Sequence, residues 1–109
     1  GAAVAALLAD IADEAPALAA HTAALRETAD WLRQAEPRAA EAGATPFLAA
    51  LGTLTAGWLC ARLLAQPDAP AAARSAASVF LDQVLPRVTL NCALARAPSE
   101  AIINKESIE

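Results

Sequence analysis

The chain has 109 residues, a formal net charge of −4 and a hydrophobic content of 57%, and nearly a third of its residues are alanine. Its arginines and its one lysine are scattered singly, so no basic stripe is available to bind a phosphate backbone. Because alanine has the best helix propensity, the composition predicts an all-α protein, and the charge pattern argues against nucleic-acid binding.

The first predicted helix runs from about Ala2 to Gln34, where apolar residues recur at alternating spacings of three and four. Pro16 interrupts this pattern, and an interior proline removes one backbone hydrogen bond and clashes with the preceding turn. We therefore expect either a kink or two separate helices near residues 13–15. A connector is predicted over residues 36–45.

The central helix is predicted to begin at Thr45 and Pro46 and to end near Ala65. Thr45 is the expected N-cap, and Pro46 suits the first helical position because its missing N–H has no partner there. Apolar residues then recur at helical spacing, which predicts one broad buried face. The members of this predicted face are Phe47, Leu48, Leu51, Leu54, Trp58, Leu59 and Leu63.

Two glycines, Gly52 and Gly57, lie inside the predicted central helix, where each costs about 0.5–1 kcal/mol relative to alanine. In an alanine-rich chain this indicates that another backbone approaches too closely for a Cβ atom. A phosphate-binding loop is excluded, because no strand precedes the glycines and both fall inside a helix. Trp31 and Trp58 are expected to pack between helices rather than to line a ligand cavity.

A third helix is predicted after the stop at Gln66–Pro67, with Asp68 as its cap and Ala97–Pro98 as its end. Its wide apolar face includes Phe80, and Pro86 is expected to break and bend it midway. Connectors at 36–45 and 66–69 are short, which favours antiparallel packing of successive helices. The predicted fold is therefore an antiparallel up-down bundle of three long helices. In an alternative form of this prediction, Pro16 splits the first helix into two.

We assign residues 1–97 to a single helical-bundle domain and residues 98–109 to a C-terminal tail. The tail holds the only lysine and three of the four isoleucines, so it is interpreted either as a non-native extension or as a genuine terminus. The chain has no methionine, and Gly1 is typical of the residue that protease removal of a tag leaves. We therefore expect a fragment of a longer protein.

Few side chains are candidates for chemistry. His21 is the only histidine and has no carboxylate three or four residues away, so a partly exposed helical position is expected. One histidine and two cysteines on different helices match no metal-ligand spacing. The glutamates lie in polar faces or connectors rather than in apolar runs that would raise a carboxyl pKa. We therefore predict no catalytic, cofactor-binding or metal-binding residue in this chain.

Charged residues are expected to interrupt each apolar run before it reaches the roughly 18–20 residues of a membrane span. The opening GAAVAALLAD has no basic segment typical of a signal peptide. We therefore expect a cytoplasmic protein with no membrane partner. Cys60 and Cys92 are expected to stay reduced and to act as small buried hydrophobes rather than to form a disulfide.

The segment G-A-T-P-F-L followed by G-x-x-x-x-G-W-L-x-A-R, residues 43–62, resembles the additional C-terminal helical domain of a subgroup of acyl-CoA dehydrogenases. The later FLDQVLPR, Phe80–Arg87, is similar to the next helix of that domain. With the first helix ending in Trp31, the resemblance covers roughly residues 2–97. The expected helix-packing and interface residues are Thr45, Pro46, Phe47, Gly52, Gly57, Trp58, Phe80 and Pro86.

The resemblance implies a non-catalytic structural and oligomerisation domain, which packs against the rest of its parent enzyme and against a second copy. The implied parent is an FAD-dependent oxidoreductase of fatty acid metabolism that dehydrogenates acyl-CoA thioesters and passes electrons to an electron-transfer flavoprotein. The residues that perform this chemistry in the family lie in an upstream core, so no FAD is expected in this fragment.

Two alternatives belong to other functional classes. One is a self-contained helical interaction module that dimerises through a Gly52/Gly57 face and has no enzymatic activity. The other is a small-ligand-binding bundle, which the alanine-rich helix seams disfavour because they leave little room for a large cavity.

Overall fold

The computed structural model describes the backbone of residues 2–108 and the side chains of residues 2–97. This part of the chain is almost entirely helical and contains no strand. Its elements, in chain order, are α1 (Ala2–Glu14), a 3-10 turn (Pro16–Leu18), α2 (Ala19–Gln34), α3 (Pro37–Ala65), α4 (Ala71–Val79), a π turn (Phe80–Val84) and α5 (Arg87–Ile108). The predicted all-α class is confirmed, and the up-down order of three long helices stays a prediction.

The predicted break at Pro16 is confirmed by the end of α1. The Ala15 amide donates a 2.8 Å hydrogen bond to the Ile11 carbonyl, and Ala15 then leaves the helical region with φ −127° and ψ 78°. A residue that precedes proline avoids the helical conformation, which accounts for this geometry. The chain therefore enters α2 only after the 3-10 turn.

The predicted start of the central helix at Thr45 is wrong. Helix α3 begins at Pro37, which occupies the first turn after an extended Glu36, and Pro46 lies inside the helix. Thr45 is an exposed residue within the helix rather than its cap. The connector expected over residues 36–45 consists only of Ala35 and Glu36.

Packing explains why α3 starts early. Ala39 and Gly43, both N-terminal to Pro46, are buried, so the two additional turns gain contacts within the chain. These contacts outweigh the hydrogen bond that Pro46 cannot donate, a penalty of about 3 kcal/mol for a proline inside a helix. The predicted end of the helix at Ala65 is confirmed, because Gln66 is extended and Pro67 follows it.

The expected cap of the next helix, Asp68, is also wrong. The N-cap of α4 is Pro70, and no side chain donates or accepts a capping hydrogen bond there. Instead, the Arg74 guanidinium donates a 2.7 Å hydrogen bond back to the carbonyl of Gln66, at the C-terminal end of α3. The Ala69 amide also donates to this carbonyl, at 3.3 Å, so the turn and the charged side chain together satisfy a carbonyl that has no helical partner.

The predicted interruption at Pro86 is confirmed. The Leu85 amide bonds to the Phe80 carbonyl at 2.9 Å, five residues back, and α5 begins only at Arg87. Pro86 has no N–H to donate and its ring crowds the preceding turn, and the wider π turn before it relieves that crowding. The expected end at Ala97–Pro98 is wrong, since α5 runs from Arg87 to Ile108 with Pro98 inside it.

The core consists of aliphatic side chains packed against alanines. Its almost fully buried members are Leu8, Ile11, Leu25, Ala50, Leu54, Val88 and Ala95. Helix α3 makes its most extensive contact with α5, and small residues at this contact allow the two backbones to lie close together. The molecule is elongated, with extents of 60 × 26 × 17 Å.

The central part of α3 is not interrupted by charges, contrary to expectation. Residues 42–61 contain none, and α3 holds an 18-residue window with a mean hydropathy of 1.5. By length and composition alone α3 could cross a membrane, although core helices of soluble proteins pass the same test. Only 17% of this window is buried inside the chain, so much of its apolar surface is left uncovered.

Candidate functional site

Three side chains join the end of α1 to the C-terminal part of α3, and we call them the junction cluster: Glu14, Trp58 and Arg62. The Arg62 guanidinium donates from Nε to Glu14 Oε2 at 2.6 Å and from Nη2 to Oε1 at 2.8 Å, which is a bidentate pair. The Trp58 indole N–H also donates to Glu14 Oε2. Arg62 lies over the Trp58 ring, with its guanidinium carbon 4.2 Å from the ring centroid.

The junction cluster is suited to holding helices together rather than to moving protons. Hydrogen bonding from Arg62 holds the pKa of Glu14 below its usual 4.5, and the same contact raises the pKa of Arg62. A carboxylate with a lowered pKa is a poor general base at neutral pH. Because the two side chains are 43% and 50% exposed, solvent screens their attraction.

An open groove of about 600 Å³ lies beside the junction cluster. It is lined by Glu14, Ala15, Pro16, Ala17, Ala61, Arg62, Ala65 and Gln66. The ionisable groups on its wall are Glu14 and Arg62, and they are hydrogen-bonded to each other. The groove therefore presents a mostly alanine-lined surface with no available acid, base or nucleophile.

Three glycines of α3 differ in their surroundings. A Cβ atom on Gly57 would lie 2.9 Å from Leu85 Cδ1, so Gly57 packs against a side chain inside the molecule. A Cβ atom on Gly52 would meet nothing within 4 Å, and Gly52 is exposed. The two residues are about 140° apart around the helix, so a single face through both glycines is not present.

The close backbone approach predicted for the interior glycines occurs at Gly43 instead. A Cβ atom there would lie 2.3 Å from the carbonyl oxygen of Ala95 in α5 and 2.8 Å from Leu32 Cδ2. Sequence reasoning missed this role because Gly43 was assigned to a connector. Ala39, Gly43 and Ala50 are buried at helical spacing, but small residues in an alanine-rich chain give no distinct apolar pattern that would have extended the predicted helix backwards.

The remaining predicted packing residues do not form one cluster. Phe47 and Trp58 are partly buried and pack against the core. Phe80 is half-buried in the π turn, and Pro86 is exposed next to it. Pro46 is half-buried inside α3.

The outer face of α3 is a second candidate surface, defined by Thr45, Leu48, Ala49, Gly52, Ala56 and Leu59. Leu48 is 63% exposed and Leu59 is 56% exposed, so their expected burial in the central-helix core is wrong. The members recur every three or four residues and therefore share one side of the helix. Leu54 and Gly57, which are buried, lie on the opposite side. This face is uncharged and mostly apolar, and within the described part of the chain all its members are exposed except Ala56, which is half-buried.

His21 and the cysteines take no part in either surface. His21 is half-buried in α2, Cys60 is half-buried and Cys92 is buried, and both cysteines are free thiols. Among the residues whose side chains the structure describes, no three His, Cys, Asp or Glu side chains come together as metal ligands.

Comparison with known protein families matches nearly the whole chain. A family model described as acetyl-CoA dehydrogenase C-terminal like matches residues 1–105. The matched range covers the segments on which the resemblance depends, and it continues past residue 97. No curated protein and no solved structure matches the chain.

Proposed function

This chain belongs to the acetyl-CoA dehydrogenase C-terminal-like family, and we propose that it is the non-catalytic structural and oligomerisation domain of an acyl-CoA dehydrogenase-like enzyme. The observation that carries this proposal is the outer face of α3, which is apolar and uncovered in the isolated chain. Exposed apolar patches of this kind are typical of protein–protein contacts.

The proposal includes the antiparallel arrangement of the long helices. Gly43, near the start of α3, lies beside Ala95, whereas Gly57, farther along α3, lies beside Leu85. Contacts that advance along one helix while receding along the other support antiparallel packing. Such a bundle provides long, rigid outer faces for docking.

In this proposal the parent enzyme removes hydrogen from the α and β carbons of an acyl-CoA thioester with FAD, in the cytoplasm. The groove beside the junction cluster is a poor fit for FAD. A flavin dinucleotide carries two phosphates, and the arginine on the groove wall, Arg62, is bound to Glu14. Flavin and the catalytic carboxylate are therefore assigned to the rest of the enzyme, and this domain contributes packing and subunit association.

The test is flavin content and activity, measured on this chain and on the whole enzyme encoded by its gene. We expect no bound flavin and no acyl-CoA oxidation by the chain alone, and both properties in the whole enzyme. Stoichiometric flavin that co-purifies with the chain alone would overturn the non-catalytic assignment. A gene whose upstream coding region lacks a flavoenzyme core would overturn the assignment to such a parent.

A further inference from the structure

We infer that the outer face of α3 packs antiparallel against the same face of a second copy of this chain, with a two-fold axis passing at Gly52. This inference rests on the proposed association function, and it names the partner and the contact. Its basis is the glycine, the order of large and small residues along the face, and the absence of charge on the face.

Within the described part of its own chain, Gly52 has no close neighbour that would require a glycine. Inside a helix it costs about 1 kcal/mol relative to alanine, yet a Cβ atom there would meet nothing within 4 Å. Gly43 and Gly57, by contrast, each face an atom within 3 Å of the missing Cβ position, at Ala95 and Leu85. A backbone of a second copy that approached Gly52 would require a residue without a Cβ there, just as the approach of α5 requires one at Gly43.

The order of residues on the face is self-complementary about Gly52. In an antiparallel two-fold pair, a residue before Gly52 faces the residue equally far after it in the partner. Leu48 then faces Ala56, and Leu59 faces Thr45. Each exposed leucine thus meets a small side chain, as ridges and grooves require. A parallel pair would instead place leucine against leucine.

The charge of the outer face permits such a pair, and its two leucines are exposed within the chain: Leu48 by 63% and Leu59 by 56%. Because residues 42–61 carry no charge, two copies with a net charge of −4 each can meet there without like charges in contact.

The first experiment measures the oligomeric state of the chain over a concentration series by analytical ultracentrifugation. We expect a dimer whose dissociation constant rises roughly tenfold or more in Gly52→Leu and in Leu48→Glu. Gly52→Leu adds its side chain to open space, so the helix content of the monomer should be retained. The matched control is Leu90→Glu, because Leu90 on α5 is 58% exposed but lies outside the outer face.

The second experiment tests the axis directly. A residue on a two-fold axis meets its own copy, so Gly52→Cys in a Cys60→Ser background should form a disulfide-linked dimer under mild oxidation. Leu90→Cys in the same background should remain monomeric on a non-reducing gel. The cross-link should form in the whole enzyme as well.

A chain that stays monomeric at all concentrations would overturn the inference, as would a dimer that Gly52→Leu and Leu48→Glu leave intact. Efficient cross-linking in the chain but none in the whole enzyme would mean that another part of the parent covers this face, which also overturns it. None of these results bears on the non-catalytic assignment, because flavin content tests that separately.

Discussion

At the scale of single residues, the glycines of α3 show how one residue type has different energetic roles in one helix. Gly43 allows α5 to approach, since a Cβ there would lie 2.3 Å from a backbone oxygen that cannot rotate away. Gly57 faces the end of a leucine side chain, which has alternative rotamers. Gly52 faces open space and weakens the helix of an isolated chain.

Gly43→Ala is therefore expected to lower the free energy of unfolding by about 1–3 kcal/mol, because the new methyl group forces α3 and α5 apart. The matched variant Gly52→Ala should raise it by up to about 1 kcal/mol in the dilute monomer, through helix propensity alone. Urea unfolding followed by circular dichroism measures both. Equal effects of the two substitutions would contradict the assigned contacts.

The junction cluster gives a pH-dependent contribution to stability. The pKa of Glu14 is lower in the folded chain than its usual 4.5, so its contribution is fully present above that value. It is lost as the pH falls through the lowered folded pKa, because protonation removes the charge that Arg62 binds. The Glu14–Arg62 pair therefore stabilises the folded chain at neutral and mildly acidic pH.

Glu14→Gln should accordingly destabilise the chain at neutral pH, and the difference from the unmodified chain should shrink in acid. The measurement is the free energy of unfolding in urea as a function of pH. Glu41→Gln, which removes an exposed carboxylate of α3, serves as the control for loss of charge alone. A difference that stays constant with pH would show that the Glu14–Arg62 pair does not contribute.

At the scale of elements, α3 shows that tertiary packing can override a strong local start signal. Thr45 followed by Pro46 has the chemistry of a helix start, but Pro37 has it as well, and the longer helix buries Ala39 and Gly43. The two prolines thus have opposite energetic effects. Pro37 is at the first helical position, where a backbone N–H would have no helical partner. Pro46 is inside the helix, where a backbone N–H would donate a hydrogen bond that proline cannot make.

Pro46→Ala should raise the free energy of unfolding by up to about 3 kcal/mol, because it restores one helical hydrogen bond and removes a clash. Pro37→Ala should change it little, since the first helical position needs no donor. Thermal and urea unfolding of the two variants measure this contrast. Destabilisation by Pro46→Ala would show that the ring contributes packing that the helix needs.

At the scale of the whole molecule, α3 separates the interior from an exposed apolar surface. Leu54 is fully buried and Leu59, five residues later, is 56% exposed, although both belong to the same apolar pattern. The radius of gyration, 16.1 Å, exceeds the roughly 13 Å of a compact domain of this length. An elongated bundle with one uncovered apolar face is suited to assembly.

Leu54→Ala should therefore destabilise the chain by about 2–5 kcal/mol through loss of core packing. Leu59→Ala should leave the free energy of unfolding of the dilute monomer within about 0.5 kcal/mol, as is usual for exposed positions. Urea unfolding at low concentration measures stability, and sedimentation measures association. A large monomer destabilisation by Leu59→Ala would show that this leucine belongs to the core.

Features that depend on local backbone chemistry could be predicted from the chain. Alanine and leucine at helical spacing lead to an all-α protein, Pro16 and Pro86 interrupt helices because proline cannot donate, and Gln66–Pro67 ends α3. The motif of residues 43–62 with Phe80–Arg87 was sufficient to indicate the family that the chain matches.

Features that depend on which helices meet were decided by the tertiary structure. The start of α3 at Pro37, the close approach at Gly43 and the exposure of Leu48 and Leu59 could not be predicted from local pattern. A helix with apolar residues on most of its circumference has no unique inward side in the sequence. The buried side of α3 is the side that α5 and the first two helices cover, and the outer face is the side that they leave exposed.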